Sequence, residues 1–269
     1  MADHTLVDKM AAVWASIETL CTGLSEQEWK TPTDCPGWTV QDQLSHLSGN
    51  ESSLLGRPAP SHEVGDLPHL KNPMGRMNET VVDYRRSWPG DKVLEEFREV
   101  TKERLGYLGG LSDDDLAKET NTPLGVRPLR DFLAVRIFDA WVHEQDMRRA
   151  LGRAGHLEGA VAEHAVERAS MAMPMVVGKK VGAGDGTTVV FDITGDAGRT
   201  LAVAVEGGRA KAVESASDPT VRLVMDAETY CCLGCGRWDA ASALAHGKVV
   251  IEGDQELGRH VLEQMNFMP

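Results

Sequence analysis

Within "RIFDAWVHEQDMRRALG", residues 136 to 152, four polar side chains, Arg136, Asp139, His143 and Asp146, recur at spacings of three and four among mostly apolar neighbours. At about 100° per helical residue they share one arc, while Leu133, Ile137, Phe138, Trp141 and Val142 occupy the rest of the wheel. Two chemistries suit that arc. If it faces water, Arg136 with Asp139 and Asp139 with His143 are ordinary i,i+3 and i,i+4 pairs, worth about 0.2–0.5 kcal/mol each. If it faces the inside of a bundle, the polar groups need partners, and a carboxylate and an imidazole four residues apart can converge on one metal ion. A third ligand must then come from another helix. His46, on the flank of the stripe formed by Val40, Leu44 and Leu47, is the strongest candidate.

The elements that would position these groups are legible in outline. "LVDKMAAVWASIETLCTGL" has helical periodicity, and Gly23 followed by "SEQE" ends one helix and caps the next through Ser25 and Glu28. Pro36 and Gly37 force a turn, after which Thr39 and Asp42 form a capping box for the helix carrying His46. Residues 56 to 75, with four prolines and three glycines, read as a long loop able to cover a site, and His69 lies in it. Helices are expected at about 76–87 and 90–109, and a turn at "NTPLGVRP" precedes the helix of Asp139.

From about residue 186 the texture changes to short Val- and Thr-rich runs separated by Gly and Asp: "TTVVFDITGD", "RTLAVAVEGG", "RAKAVES" and "TVRLVMD". Short helices around "KVVIEGD" complete an α+β unit. The glycine-rich "GKKVGAGDGT" is the expected linker, which divides the chain into a helical domain, 1–177, and an α+β domain, 186–269. A net charge of −13 disfavours nucleic acid and anionic membranes as partners. The acids of the N-terminal stretch do not suit a signal or spanning segment. Five cysteines fit reduced thiols in a cytoplasmic protein.

Three blocks in order, "TPTDCPGWTVQDQLSHLSGNE", "GDLPHLKNPMGRMNE" and "DAWVHEQDMRRAL", together with the α+β ending "EGDQELGRHVLEQMNFMP", resemble the mycothiol-dependent maleylpyruvate isomerase family over nearly the whole chain. The resemblance implies a DinB-like four-helix bundle followed by a sterol-carrier-like α+β domain. It implies Zn²⁺ or another divalent metal held by His46, Asp139 and His143, the acidic position being Asp here and Glu in the family's isomerase prototype. It also implies mycothiol as cosubstrate. A thiol at such a metal becomes a thiolate, which either isomerises a conjugated electrophile from cis to trans or stays attached as an S-conjugate.

The expected partners are therefore a small thiol and an electrophilic substrate, with the protein a monomer or small homo-oligomer. Arg237 in "CLGCGRWD" is the candidate catalytic cation, with Arg222 its rival. His69 is the candidate substrate-binding residue. Asp146 either orients His143 or pairs with Arg149. A different class stays open, a non-catalytic metal-stabilised protein that binds a small molecule. A thiol-independent metal hydrolase would need a base, and Glu144 points about 100° away from His143 along the helix. The C-x-x-C within Cys231, Cys232 and Cys235 reads as small apolar packing, and Cys35 stands outside the helix of His46.

Overall fold

The computed structural model describes residues 4–122 and 125–268. The chain divides into two compact units, Met1–Gly155 and His156–Pro269. The first contains α1 (His4–Cys21), α2 (Glu26–Trp29), α3 (Val40–Leu54), α4 (Pro73–Asp83), α5 (Gly90–Gly109), α6 (Asp113–Ala117), the hairpin strands β1 (Glu119–Thr122) and β2 (Gly125–Pro128), and α7 (Leu129–Leu151). Helices α3 and α1 each pack against both α5 and α7, which closes a four-helix ring with α4 against α3. Val13 and Ile17, Leu44 and Leu47, Val93 and Phe97, and Ile137 and Trp141 fill its core with almost no exposure.

Local chemistry sets the starts of these helices. Thr39 Oγ1 accepts from the Asp42 backbone N–H while Asp42 accepts from that of Thr39, so the helix carrying His46 begins where the capping box expects. The helix expected near 76 starts three residues earlier, because Asn72 caps it through the Gly75 N–H and Pro73 occupies its first position. At "NTPLGVRP" the structure places β2 and the end of β1 rather than a bare turn, with residues 123 and 124 outside the described residues. Helix α7 ends on Gly152, whose φ of +63° lets the Arg153 N–H return to the Arg148 carbonyl.

The second unit contains α8 (Gly159–Ser170), α9 (Met173–Met175), a π-helical turn at Val176–Lys180, β3 (Thr188–Thr194), β4 (Arg199–Glu206), β5 (Arg209–Val213), β6 (Val221–Asp226), α10 (Ala227–Gly234), α11 (Ala240–Ala245), β7 (Val249–Gly253) and α12 (Gln255–Gln264). Its sheet runs in the order β5-β4-β3-β6-β7, antiparallel except for the β3–β6 pair. The division falls earlier than the expected linker, since α8 packs on α10, where the Tyr230 hydroxyl donates to Ser170 Oγ. The amphipathic pattern of α8 shows that it has a buried face but not which core receives it. No described helix is long and apolar enough to cross a membrane.

Candidate metal centre

The polar arc of α7 faces inward, against α3. His46 Nε2 lies 3.4 Å from Asp139 Oδ2, and His143 Nε2 lies 3.6 Å from Asp139 Oδ1. The two imidazole centroids are 4.6 Å apart. One ligand atom from each of the three residues lies within 4.8 Å of the others, and among the described residues this is the group of His, Cys, Asp and Glu that could hold a metal ion. Two imidazole nitrogens and a carboxylate oxygen are a donor set that a zinc-sized ion accepts, and their mutual approach within 4.8 Å brings them to one point. His46 and His143 are buried, whereas the Asp139 side chain is 20% exposed and marks the open side.

The charges around the cluster are balanced in pairs. Arg136 Nη1 donates to Asp139 Oδ2 at 2.7 Å, while its Nε and Nη2 both donate to Glu51 Oε1 at 3.0 and 2.9 Å. The other Glu51 oxygen accepts from Arg104 Nε at 3.1 Å. Burial opposes the charge of Asp139, but the Arg136 guanidinium and the two imidazoles beside it hold its carboxyl well below the usual carboxylate range. Burial first, and the neighbouring His143 second, push the His46 imidazole down to about 4, so near neutral pH it is the uncharged form that a metal requires.

Orientation comes from α3 and the turn before it. His143 Nδ1 is hydrogen-bonded to Gln43 Oε1. Asn50, one turn beyond His46, brings its amide nitrogen to 3.0 Å from His46 Nε2. The Trp38 ring packs 5.1 Å from the His46 ring and 5.8 Å from the His143 ring, and its Nε1–H donates to Glu79 Oε2 at 2.8 Å. Glu79 is fully buried, with Arg86 Nη1 2.6 Å from its Oε1 and His69 Nε2 3.1 Å from its Oε2.

His69 therefore sits beside the Trp38 wall, its ring against Gly37, where an added Cβ would come within 2.7 Å of it. Asp146 is buried, accepts from Arg149 Nη2 at 2.5 Å and keeps its other oxygen 3.7 Å from His143 Nδ1. Glu144 faces Ser16 of α1, which donates to it, as does Arg148 one turn further along α7, which agrees with its weakness as a base for this site. Arg237 belongs to the second unit, where Nη1 donates to the Cys235 carbonyl. Arg222 lies on that unit's sheet beside Asp192 and Glu252. Cys231, Cys232 and Cys235 are buried thiols on and just after α10. Sequence reasoning missed Gln43, Trp38, Asn50 and the Glu51–Arg104 extension; the one available signal was that α3 carries many polar residues for a bundle helix.

Residues 10–148, more than half the chain, match the family model described as mycothiol maleylpyruvate isomerase N-terminal domain. The chain belongs to this isomerase family. Family membership makes it an enzyme of the isomerase class. Residues 174–265 match the SCP-2 sterol transfer family. A crystal structure of a mycothiol-dependent maleylpyruvate isomerase aligns at 15% identity with a TM-score of 0.62, covering 94% of this chain and 93% of that one. A histidine-to-alanine variant of a mycothiol-dependent maleylpyruvate isomerase aligns at 15% identity with a TM-score of 0.61 and the same coverage. These likenesses establish the fold, a helical N-terminal domain followed by an SCP-2-like α+β domain. No curated protein sequence matches the chain.

Proposed function

We propose that this family member is a zinc-dependent enzyme that presents a small thiol, mycothiol, to an electrophilic acid of the maleylpyruvate type. The observation that carries the proposal is the convergence of His46, Asp139 and His143 from two facing helices onto one point. Two imidazoles and one carboxylate leave a position of a four-coordinate ion for an exchangeable ligand, the arrangement of catalytic rather than structural sites. Zinc held there supplies a Lewis acid that lowers the pKa of an incoming thiol, so that it reacts as thiolate near neutrality.

The chain's own residues prepare that chemistry. Arg136, fixed by Glu51, holds the Asp139 carboxylate in place and keeps it ionised. Trp38 covers one side of both imidazoles and shields them from water. The exposed edge of Asp139 is the side from which thiol and electrophile enter. Addition of the thiolate to a conjugated double bond permits rotation about the resulting single bond, and its departure returns the thiol, which completes a cis-to-trans isomerisation. Retention of the thiol gives an S-conjugate instead, by the same first step.

Arg237 is assigned to a substrate carboxylate by resemblance alone, and His69 to substrate by its place in the loop beside Trp38. An increase in KM for Arg237→Ala or His69→Ala at unchanged metal content tests each. For the core proposal, elemental analysis of purified protein should give about one zinc per chain, lost in His143→Ala and Asp139→Asn. Loss of mycothiol-dependent conversion of maleylpyruvate to its trans isomer should accompany the loss of metal. Absence of metal from the wild type refutes the site. Bound metal without thiol-dependent turnover on any electrophilic acid would instead support a metal-stabilised binding protein.

A further inference from the structure

Gln43 reaches the site without belonging to its ligand set, and its hydrogen bonds have a direction that can be worked out. Its side chain has no exposure, so the amide must be satisfied within the protein. Amide oxygen and nitrogen are distinguished by their partners. On one side Gln43 meets Thr33 Oγ1 at 2.7 Å. That hydroxyl has a single proton, donated to the Trp38 carbonyl at 2.9 Å, and it also accepts from the Cys35 backbone N–H at 3.3 Å. Toward Gln43 it can only accept, so the group facing it is the Gln43 NH₂.

The other end of the amide is then the carbonyl oxygen, which faces His143 Nδ1. An amide oxygen carries no proton, so the proton in that contact belongs to Nδ1. In the neutral imidazole, the form that binds a metal, Nε2 is then left with a bare lone pair, and Nε2 is the nitrogen that faces Asp139.

We propose that Gln43 is a positioning residue that fixes His143 as its Nδ1–H tautomer and aims the bare Nε2 into the cluster, its own orientation being set by Thr33 in the turn that also carries Trp38. The inference rests on the metal-centre reading for its purpose, but the tautomer itself does not depend on a metal. Gln43 lies on the same helix as His46, three residues before it, so one helix supplies a ligand directly and orients another. Asp146, 3.7 Å from the same nitrogen, is beyond hydrogen-bonding distance and adds charge rather than direction.

The test has two readouts. Long-range ¹⁵N–¹H correlation spectra of the metal-free, ¹⁵N-histidine-labelled full chain, with His143 assigned by the signal lost in His143→Gln, should show a protonated Nδ1 and an unprotonated Nε2. Competition for zinc against a chromophoric chelator should then show affinity reduced about 10- to 100-fold in Gln43→Leu, which removes the acceptor. Gln43→Glu, which keeps an acceptor there, should stay within a few-fold of the wild type. Thr33→Val frees the amide to rotate and should yield a mixture of tautomers.

A wild-type His143 found mainly as the Nε2–H tautomer overturns the inference even if no variant folds. An unchanged tautomer and affinity in folded Gln43→Leu overturns it as well. Failure of the wild type to bind zinc would overturn the metal-centre reading instead, and the metal-free spectrum would still decide the tautomer.

Discussion

The substitution Glu51→Gln tests whether the ion pairs beneath the His46, Asp139 and His143 cluster act as a unit. Glu51 is 1% exposed and accepts from two guanidinium groups, Arg136 through two donors and Arg104 through one. An amide in its place keeps the shape, removes the charge and turns an NH₂ group toward cationic donors. Arg136 keeps Asp139 as a counter-ion, while Arg104 is left beside the Tyr107 ring. Leaving a buried charge uncompensated costs about 3–5 kcal/mol. For a unit of this size that lowers Tm on the order of 10 °C. Tryptophan fluorescence reports mainly the correct unit, since five of the six tryptophans, Trp14, Trp29, Trp38, Trp88 and Trp141, lie in the first one and Trp238 in the second. Urea titration of metal-free protein gives the free energy. Arg104→Met should cost less in the Glu51→Gln background than in the wild type, by about 0.5–3 kcal/mol of coupling. A Glu51→Gln loss below about 1 kcal/mol, the scale of exposed ion pairs, would refute the argument that these charges are held dry and interdependent.

Other outcomes follow from the same structure. Gly90→Ala places a Cβ 2.1 Å from the Trp29 ring, so it should cost about 1–3 kcal/mol through overpacking, read by urea midpoint; a neutral substitution would mean that α2 yields freely. Thr39→Ala removes the oxygen that caps α3 and should lower stability by about 1 kcal/mol in the same titration. Zinc at about a hundred times its Kd should raise wild-type stability by about 2.7 kcal/mol and leave His143→Ala unmoved, with differential scanning calorimetry as the check. Cys21 is buried, and burial first, then Glu144, push its thiol up to about 12 from 9.0. The unfolded chain releases that proton near pH 9 and the folded chain holds it, so the stability present below pH 9 is lost as pH rises toward 12. The slope is at most about 1.4 kcal/mol per pH unit. Cys21→Ala should therefore flatten the alkaline limb of stability against pH, and an unchanged slope there would assign the limb to other groups.

What the sequence determined by itself is local. The capping box at Thr39 and Asp42 fixes the start of α3 because its hydrogen bonds close within four residues. The spacing of Asp139 and His143 fixes a shared face because helical rotation per residue is constant. The order of three motif blocks was enough to indicate the family, and through it the zinc-binding role expected of His46. Only the tertiary structure decided which way that face looks. A polar arc on α7 serves equally for water or for a buried cluster until α3 closes over it with its own buried Gln43, His46 and Glu51. Those residues look like a solvated surface in sequence because each is satisfied by a partner far along the chain, Gln43 by Thr33 and His143, and Glu51 by Arg104 and Arg136. The same holds for α8, whose apolar pattern shows a face to be buried but not the core that receives it. Periodicity records that a side chain is satisfied somewhere; the partner, and so the burial of charge and the choice of His143 tautomer, exists only once distant segments have met.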